Sequence, residues 1–223
     1  MKALLVALTV IVALAVASFL TFEYYLHCKA QSVIGDVSSV IAASDHDVAF
    51  AAFKKKYGER LRSLGCWSPR TGYEVCSYQV TVSNRAISKV FQIPFTELNA
   101  RFDLLNRSIS AAMVEYRSAQ RKGESPVVHV QTDFCPAIST CGSFDFFYVN
   151  PWSLSSAPER WNGIVEMGFS TAPELQRAAL SLNSKCLTSI RRCTDIAQLL
   201  PSVWSASPNG VRCVIKNHEG KAR

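Results

Sequence analysis

Eight cysteines are the residues of this 223-residue chain best suited to covalent chemistry, and two pairs of them are closely spaced. Cys66 and Cys76 enclose a turn-rich loop, and Cys135 and Cys141 enclose a shorter one. Both spacings predict local disulfides, each of which would stabilise the fold by about 2–4 kcal/mol. The sequence contains no C-x-x-C and no closely spaced group of cysteines and histidines, so we expect neither a zinc site nor another cofactor.

The other four cysteines have no pairing that their spacing decides. On one continuous helix Cys186 and Cys193 would lie about 10 Å apart, beyond the roughly 7 Å limit between the Cα atoms of a disulfide. Either the helix breaks between them or each pairs elsewhere, for example with Cys213. Cys28 follows the apolar N-terminal segment and could pair with Cys213, pair with a second copy of the chain, or stay free.

Three places in the sequence carry residue types that suit catalysis or metal binding, and each has a simpler structural explanation. Ser170 lies in a G-x-S-x-A sequence between a predicted strand and a predicted helix, the position of the serine nucleophile in some acyl hydrolases. A helix-capping role for Ser170 and Thr171 explains the same pattern. Asp45-His46-Asp47 carries metal-ligand types, but consecutive residues rarely converge, and we expect them to cap a helix. His129 lies in a strand pattern and is expected to be structural rather than a general base.

An aromatic segment near position 148 is the best candidate for a ligand site. Phe144, Phe146 and Tyr148 alternate along a predicted strand, and Trp152 follows them. They fit a central strand that is covered on both sides. They also fit the lining of an apolar ligand cavity between a curved sheet and its helices.

The N-terminal segment predicts export and membrane insertion. Ala3 to Phe22 is a run of twenty uncharged residues, long enough as a helix to cross about 30 Å of hydrocarbon. A signal peptide that is cleaved after Ala17 is one interpretation, and an uncleaved anchor that ends in the pair Tyr24 and Tyr25 is the other. The number of cysteines favours an oxidising compartment. We therefore expect residues 1–27 to be a signal anchor or signal peptide, and residues 28–223 to form one domain in the periplasm or extracellular space.

Hydrophobic periodicity predicts an α+β domain in which helices pack on a curved antiparallel β-meander. The sequence predicts two helices after the anchor, then seven strands, then further helices and a closing hairpin. The predicted helices are 30–43, 48–64, 171–187 and 195–200, the hairpin lies in 203–211, and the strands are 73–82, 87–93, 98–104, 109–116, 127–134, 144–149 and 163–169.

Charge and motifs favour binding over catalysis. The net charge of +7 at pH 7 suits contact with anionic lipid or other envelope components, although it also suits mere solubility, and we expect no nucleic-acid partner. No P-loop, dinucleotide or metalloprotease motif is present. The sequence therefore predicts a non-catalytic, membrane-anchored binding or scaffold protein of the cell envelope. A carrier of an apolar ligand is the alternative, and a serine acyl hydrolase is a weaker one.

Overall fold

The computed structural model describes residues 2–91, 95–119, 127–133, 147–152, 162–168, 171–187, 193 and 196–206. Six α-helices and seven strands lie in these ranges, with short 3-10 turns at Gly58–Arg60 and Ser184–Leu187. The helices are α1 (Lys2–Ile41), α2 (His46–Tyr57), α3 (Arg85–Phe91), α4 (Pro173–Leu180), α5 (Ile196–Leu199) and α6 (Pro201–Ala206). The strands are β1 (Arg62–Arg70), β2 (Tyr73–Ser83), β3 (Phe95–Leu105), β4 (Ser108–Ala119), β5 (Val127–Asp133), β6 (Phe147–Trp152) and β7 (Asn162–Gly168).

Helix α1 is a single helix of 40 residues, about 60 Å long. Its first buried residue is Leu26, and every described residue before Leu26 is partly or fully exposed. Among the described residues α1 is the one helix that is long and apolar enough to cross a membrane. The prediction of a separate helix beginning near Ala30 is wrong, because no glycine or proline interrupts the chain before Gly35.

The seven strands form one sheet in the order β1-β2-β3-β4-β5-β7-β6. All neighbouring strands pair antiparallel except β5 and β7, which are parallel. Strand β6 lies at the edge of the sheet, and β7 then inserts between β6 and β5. The predicted α+β architecture, with an apolar N-terminal helix and further helices on a mostly antiparallel sheet, is confirmed.

The core lies between one face of this sheet and the helices. One register row across the sheet is entirely apolar: Val80, Ala100, Val114, Val130 and Val165. All five side chains are buried. Because side chains alternate between the two faces of a strand, the neighbouring rows on the other face are free to be polar.

Helix α2 packs back along the C-terminal half of α1. Asp45 caps its N-terminus by accepting a hydrogen bond from the Val48 backbone at 3.0 Å, as the sequence predicts. At its other end Lys56 Nζ lies 2.6 Å from an Asp36 carboxylate oxygen, and the Tyr57 hydroxyl donates to the same carboxylate at 2.7 Å. These contacts join α2 to α1 at a fixed register.

Two predicted elements in the first half of the chain are wrong. Helix α2 ends at Tyr57 rather than near residue 64, because Gly58 adopts a positive φ of 49° and the chain then enters β1. The predicted strand at 87–93 is helix α3 over its described part. Asn84 explains this: its carbonyl accepts from the Ser88 backbone at 2.8 Å, while its side chain accepts from Thr96 N at 2.8 Å.

The C-terminal helices are shorter than their sequence pattern predicts. Helix α4 ends at Leu180 instead of Leu187. The predicted capping box at Thr171 does not form: Ala172 is the N-cap and makes no side-chain cap. Helix α5 ends at Leu199, close to the predicted end at Leu200, and Pro201 then begins α6, as proline can at a first helical position. Residues 203–206 are therefore helical and not part of a hairpin, and 207–211 lie outside the described residues.

Candidate functional site

A connected group of polar side chains covers the face of the sheet opposite the helices. One register row joins Thr81, Asn99, Glu115 and His129 across four neighbouring strands. These positions alternate with the buried valine row, so the strands themselves direct the polar side chains to the other face. Glu115 is 7 % exposed, the lowest value among the ionisable side chains described on this face.

Glu115 is held by three neighbours. Its Oε1 accepts from Asn99 Nδ2 at 3.3 Å and from the guanidinium of Arg117, and its Oε2 lies 3.1 Å from His129 Nδ1. A carboxylate only accepts hydrogen bonds, so this contact places the proton of a neutral His129 on Nδ1. Both oxygens of Glu115 are therefore engaged, which offsets the cost of burying the charge.

The electrostatics of this group follow from the same contacts. Burial of the ring lowers the pKa of His129 below its usual value, and Arg117 acts in the same direction while Glu115 opposes both. The hydrogen bond to Glu115 raises the pKa of Arg117. The network consequently holds a neutral imidazole beside a carboxylate and a guanidinium at neutral pH.

A second polar group extends the same face toward the β3–β4 turn. The Ser77 hydroxyl donates to the Asp103 carboxylate, which also accepts from Arg101 Nε at 2.8 Å. Arg101 further donates to the Ser77 oxygen at 3.1 Å. Gln79 lies between the two groups and donates to Asn99 Oδ1 at 2.7 Å. The outer face thus offers paired charges and amides, chemistry that suits polar contacts with a partner.

The geometry around His129 allows proton transfer in principle, through the ring nitrogen that does not face Glu115. Within the described residues, however, its contacts bring no hydroxyl or thiol to the ring. A general base must reach the proton that it removes. The arrangement therefore positions a polar surface better than it activates a nucleophile.

Sequence reasoning identified His129 but not the residues that surround it. Asn99, Arg101 and Asp103 alternate along β3, as Glu115 and Arg117 do along β4. This spacing of two is a signal for a polar sheet face. It does not reveal which strands are neighbours, and the network exists only because β3, β4 and β5 pair.

The three residues of Asp45-His46-Asp47 make separate structural contacts. Asp45 caps α2, His46 Nδ1 lies 2.9 Å from the Val40 carbonyl, and Asp47 accepts from the Ile109 backbone at 2.8 Å. They do not converge on one point.

Several predicted site residues fall in parts of the chain that are not described: Ser170, Phe144, Phe146, Cys135, Cys141 and Cys213. Tyr148 and Trp152 belong to β6, where they pair with Glu166 and Asn162 of β7. Among the described strands β6 lies at the edge of the sheet, so the interpretation of this segment as a central strand is wrong. The predicted aromatic lining of a ligand cavity stays a prediction.

Two disulfides occur in the described residues. Cys66 and Cys76 are joined across β1 and β2, and Cys186 is joined to Cys193 with their Cα atoms 5.4 Å apart. The second bond is possible because α4 ends at Leu180, so that Cys186 lies in the 3-10 turn Ser184–Leu187 and not on a continuation of that helix. Cys28 is free and exposed on α1.

One group of metal-ligand types is compact among the described residues, namely Cys66, Glu74 and Cys76. The disulfide uses both sulfur atoms, so this group offers a metal only the exposed carboxylate of Glu74 while it is oxidised.

Comparisons with known proteins add no assignment to this site. No protein-family model matches the chain, and neither characterised proteins nor solved structures give a significant match. The function must therefore be inferred from the sequence and geometry of the chain itself.

Proposed function

We propose that this protein is a non-catalytic, membrane-anchored binding or scaffold protein of the cell envelope, with its folded domain on the extracytoplasmic side. The observation that carries the proposal is the continuity of α1, which is apolar and largely exposed from Ala3 to Phe22 and forms part of the domain core from Leu26 onward. An unbroken helix keeps the domain at a fixed distance and angle from the membrane. A flexible linker would let the domain move freely instead.

The exposed part of α1 also favours an uncleaved anchor over a signal peptide. If the chain were cut after Ala17, the helix would still project beyond the domain for about two turns. That stub would expose Leu20, Tyr24 and Tyr25 to water, and each of these side chains is more than half exposed. Contiguous exposed apolar surface of this kind is normally covered by a membrane or a partner.

The two disulfides support the extracytoplasmic side, because disulfides persist mainly in oxidising compartments. The polar outer face around Glu115 supports binding, since it offers ordered donors and acceptors without an activated nucleophile in contact.

The first test is the intact mass of the protein purified from membranes of its native host, with and without reductant. We expect the full-length chain, lighter than its reduced form by about 2 Da for each disulfide, since each bond removes two hydrogens. A mass that corresponds to a chain beginning at Ser18 would refute the anchor.

Labelling of Cys28 with a membrane-impermeant maleimide tests the side of the membrane. We expect modification in intact cells once any outer permeability barrier has been opened. Modification only after lysis of the inner membrane would place the domain in the cytoplasm and refute the proposal.

A carrier of an apolar ligand is the second candidate function, and one observation favours it. The hydroxyl of Thr132 is buried on the helix-facing side of β5, and none of the residues that the structure describes bonds to it. A polar group that is orphaned within a core is a place where a bound molecule can supply the missing partner. Native mass spectrometry distinguishes the functions: a stoichiometric apolar ligand would favour the carrier, and its absence the scaffold.

A further inference from the structure

The contacts of α1 define which end of the sheet lies next to the membrane. His27, just after the exposed half of α1, bonds through Nδ1 to the Ser184 hydroxyl at 2.7 Å. The neighbouring Leu187 carbonyl accepts from Thr96 Oγ1 at 2.8 Å, at the start of β3. At the opposite end, the Ile109 backbone donates to Asp47, which follows the end of α1.

Helix and strand lengths agree with this orientation. From His27 to Ile41 the helix rises about 21 Å, and from Tyr116 back to Ile109 strand β4 covers about 23 Å. Helix α1 therefore runs the length of the sheet. The end of β2, helix α3, the start of β3 and the end of β4 all lie at its membrane-proximal end.

Helix α3 is fixed at this end by hydrogen bonds. Asn84, which precedes it, donates from its backbone to the Thr96 carbonyl at 3.1 Å and accepts from the Thr96 backbone at 2.8 Å. Thr96 is thus at the level of His27. His27 lies five residues beyond Phe22, where the uncharged run ends, which is about 8 Å along the helix. That distance is comparable to the Debye length of about 8–10 Å in physiological salt.

The charges at this end are mostly positive. Arg85, Lys89 and Lys185 are exposed and Lys29 is partly exposed. The acidic residues that the structure describes here are Glu23 and Glu97, together with Glu115, which Arg117 already neutralises. At the opposite end of the domain, acidic residues balance the basic ones: Asp45, Asp47 and Glu74 against Arg70 and Arg107. The described residues therefore give the domain a cationic end that faces the membrane.

An exposed apolar side chain lies among these cations. Val90 on α3 is 73 % exposed, more than any other large hydrophobic residue described beyond Tyr25. It follows Lys89 directly and is on the same short helix as Arg85. Cations beside an exposed apolar side chain are typical of elements that lie in the headgroup region of a membrane.

We propose that this membrane-proximal end, formed by Lys29, Arg85, Lys89, Val90 and Lys185, docks onto anionic phospholipid headgroups of the membrane that α1 enters. The inference rests on the proposed anchoring, because α1 brings the cations to that surface. Anionic headgroups attract each nearby lysine or arginine, and Val90 adds apolar contact with the acyl boundary. Docking would fix the tilt of the domain as well as its height.

The test uses the full chain with an environment-sensitive fluorescent amino acid introduced at position 90. The protein is reconstituted in vesicles of phosphatidylcholine alone or mixed with phosphatidylglycerol. We expect brighter, blue-shifted emission in the mixed vesicles, declining as salt is added. Arg85→Glu with Lys89→Glu should remove the shift, since each lost cation weakens docking about fivefold and the pair about 25-fold.

The matched control is Lys54→Glu with Lys55→Glu, the same change of charge on two exposed residues of α2. These residues adjoin Lys56, which contacts Asp36, and Asp36 lies about 13 Å farther along α1 than His27. We expect this variant to keep the emission shift.

Three outcomes would overturn the docking. Equal emission in both vesicle types would do so, as would a shift that survives the Arg85 and Lys89 reversal. A shift caused by soluble polyglutamate but not by phosphatidylglycerol would assign the cationic end to a polymer instead. Flotation with the vesicles separates this inference from the anchor: a chain that floats without a lipid-dependent shift refutes only the docking, and a chain that does not float refutes the anchoring itself.

Discussion

The buried hydroxyl of Thr132 provides a direct test of whether the space between sheet and helices is a dry core. Thr132 pairs with Ala112 on β4 and Met167 on β7, both buried, and is itself fully buried. Its Oγ1 has no hydrogen-bond partner within the described part of the chain. Burying a hydroxyl without a partner costs about 1–3 kcal/mol in proteins.

Thr132→Val replaces this hydroxyl with a methyl group of similar size and keeps the β-branched shape that suits a strand. We expect the free energy of unfolding to rise by about 1–2 kcal/mol, because the desolvation cost disappears. For a domain of this size the midpoint of thermal unfolding should rise by roughly 3–6 °C. The measurement is thermal unfolding of the full chain in detergent micelles, followed by near-ultraviolet circular dichroism with the disulfides intact.

Thr96→Val is the matched control, because Thr96 is equally buried but its hydroxyl donates to the Leu187 carbonyl at 2.8 Å. The same chemical change there should lower stability by about 1–2 kcal/mol, since it leaves a buried carbonyl without its donor. If Thr132→Val also lowers stability, a molecule enclosed in the core is bonded to the hydroxyl. A bound water or ligand would then occupy this space, and the carrier function would gain support.

Three further predictions concern the described contacts. Asp36→Asn should lower stability by about 1 kcal/mol, given that Lys56 is half exposed. Because burial and Asp36 both raise the pKa of Tyr57, the same variant should let Tyr57 ionise at lower pH in a spectrophotometric titration. The lowered pKa of His129 means that the unfolded chain binds more protons just below pH 6.5. The free energy of unfolding should therefore fall as pH drops from 7 to about 5. His129→Gln should make this fall smaller when stability is measured by urea unfolding at each pH. An unchanged dependence of stability on pH in the variant would refute the role of His129. Replacing Cys66 and Cys76 with serine should increase amide hydrogen exchange in β1 while the core strands stay protected. The reason is that β1 has no buried side chain among its described residues. Loss of protection throughout the sheet would contradict this prediction.

The elements that sequence predicts well are those with one buried face. Val33, Val37 and Val40 recur at helical spacing and pack on the sheet, and alternation identifies the central strands. The turn at Asn106-Arg107 lies in the gap between the predicted strands 98–104 and 109–116, and both residues adopt positive φ, which asparagine tolerates. In these places local pattern and tertiary burial give the same answer.

Prediction fails where tertiary contacts override local preference. Strand β1 has no buried face, so its sequence shows no alternation and its pairing with β2 supplies the structure. Residues 87–93 are rich in β-branched residues, yet the contact between Asn84 and Thr96 begins a helix there. Propensity is a weak prior under such constraints.

The candidate site fails to be predicted for a related reason. Glu115, Asn99 and His129 are separated by 14 to 30 residues along the chain, and only strand pairing makes them neighbours. A single sequence identifies polar alternation on each strand but not the order of the strands. The register therefore had to be known before a buried carboxylate could be identified.

Under the proposed anchoring, the unbroken helix α1 links the membrane rigidly to the domain and makes the polar face a directional feature. Helix α1 packs on one face of the sheet from Leu26 to Ile41, so the network around Glu115 necessarily lies on the other face. Because α1 continues unbroken through Tyr25 and Leu26, the domain cannot turn that face toward an arbitrary neighbour. Under the proposed function, a partner in the same envelope would instead approach from the side that faces away from α1, where the paired charges of Glu115 and Arg117 lie. A flexible linker inserted after Tyr25 should therefore weaken partner binding by loss of orientation, even though every residue of the polar face is unchanged.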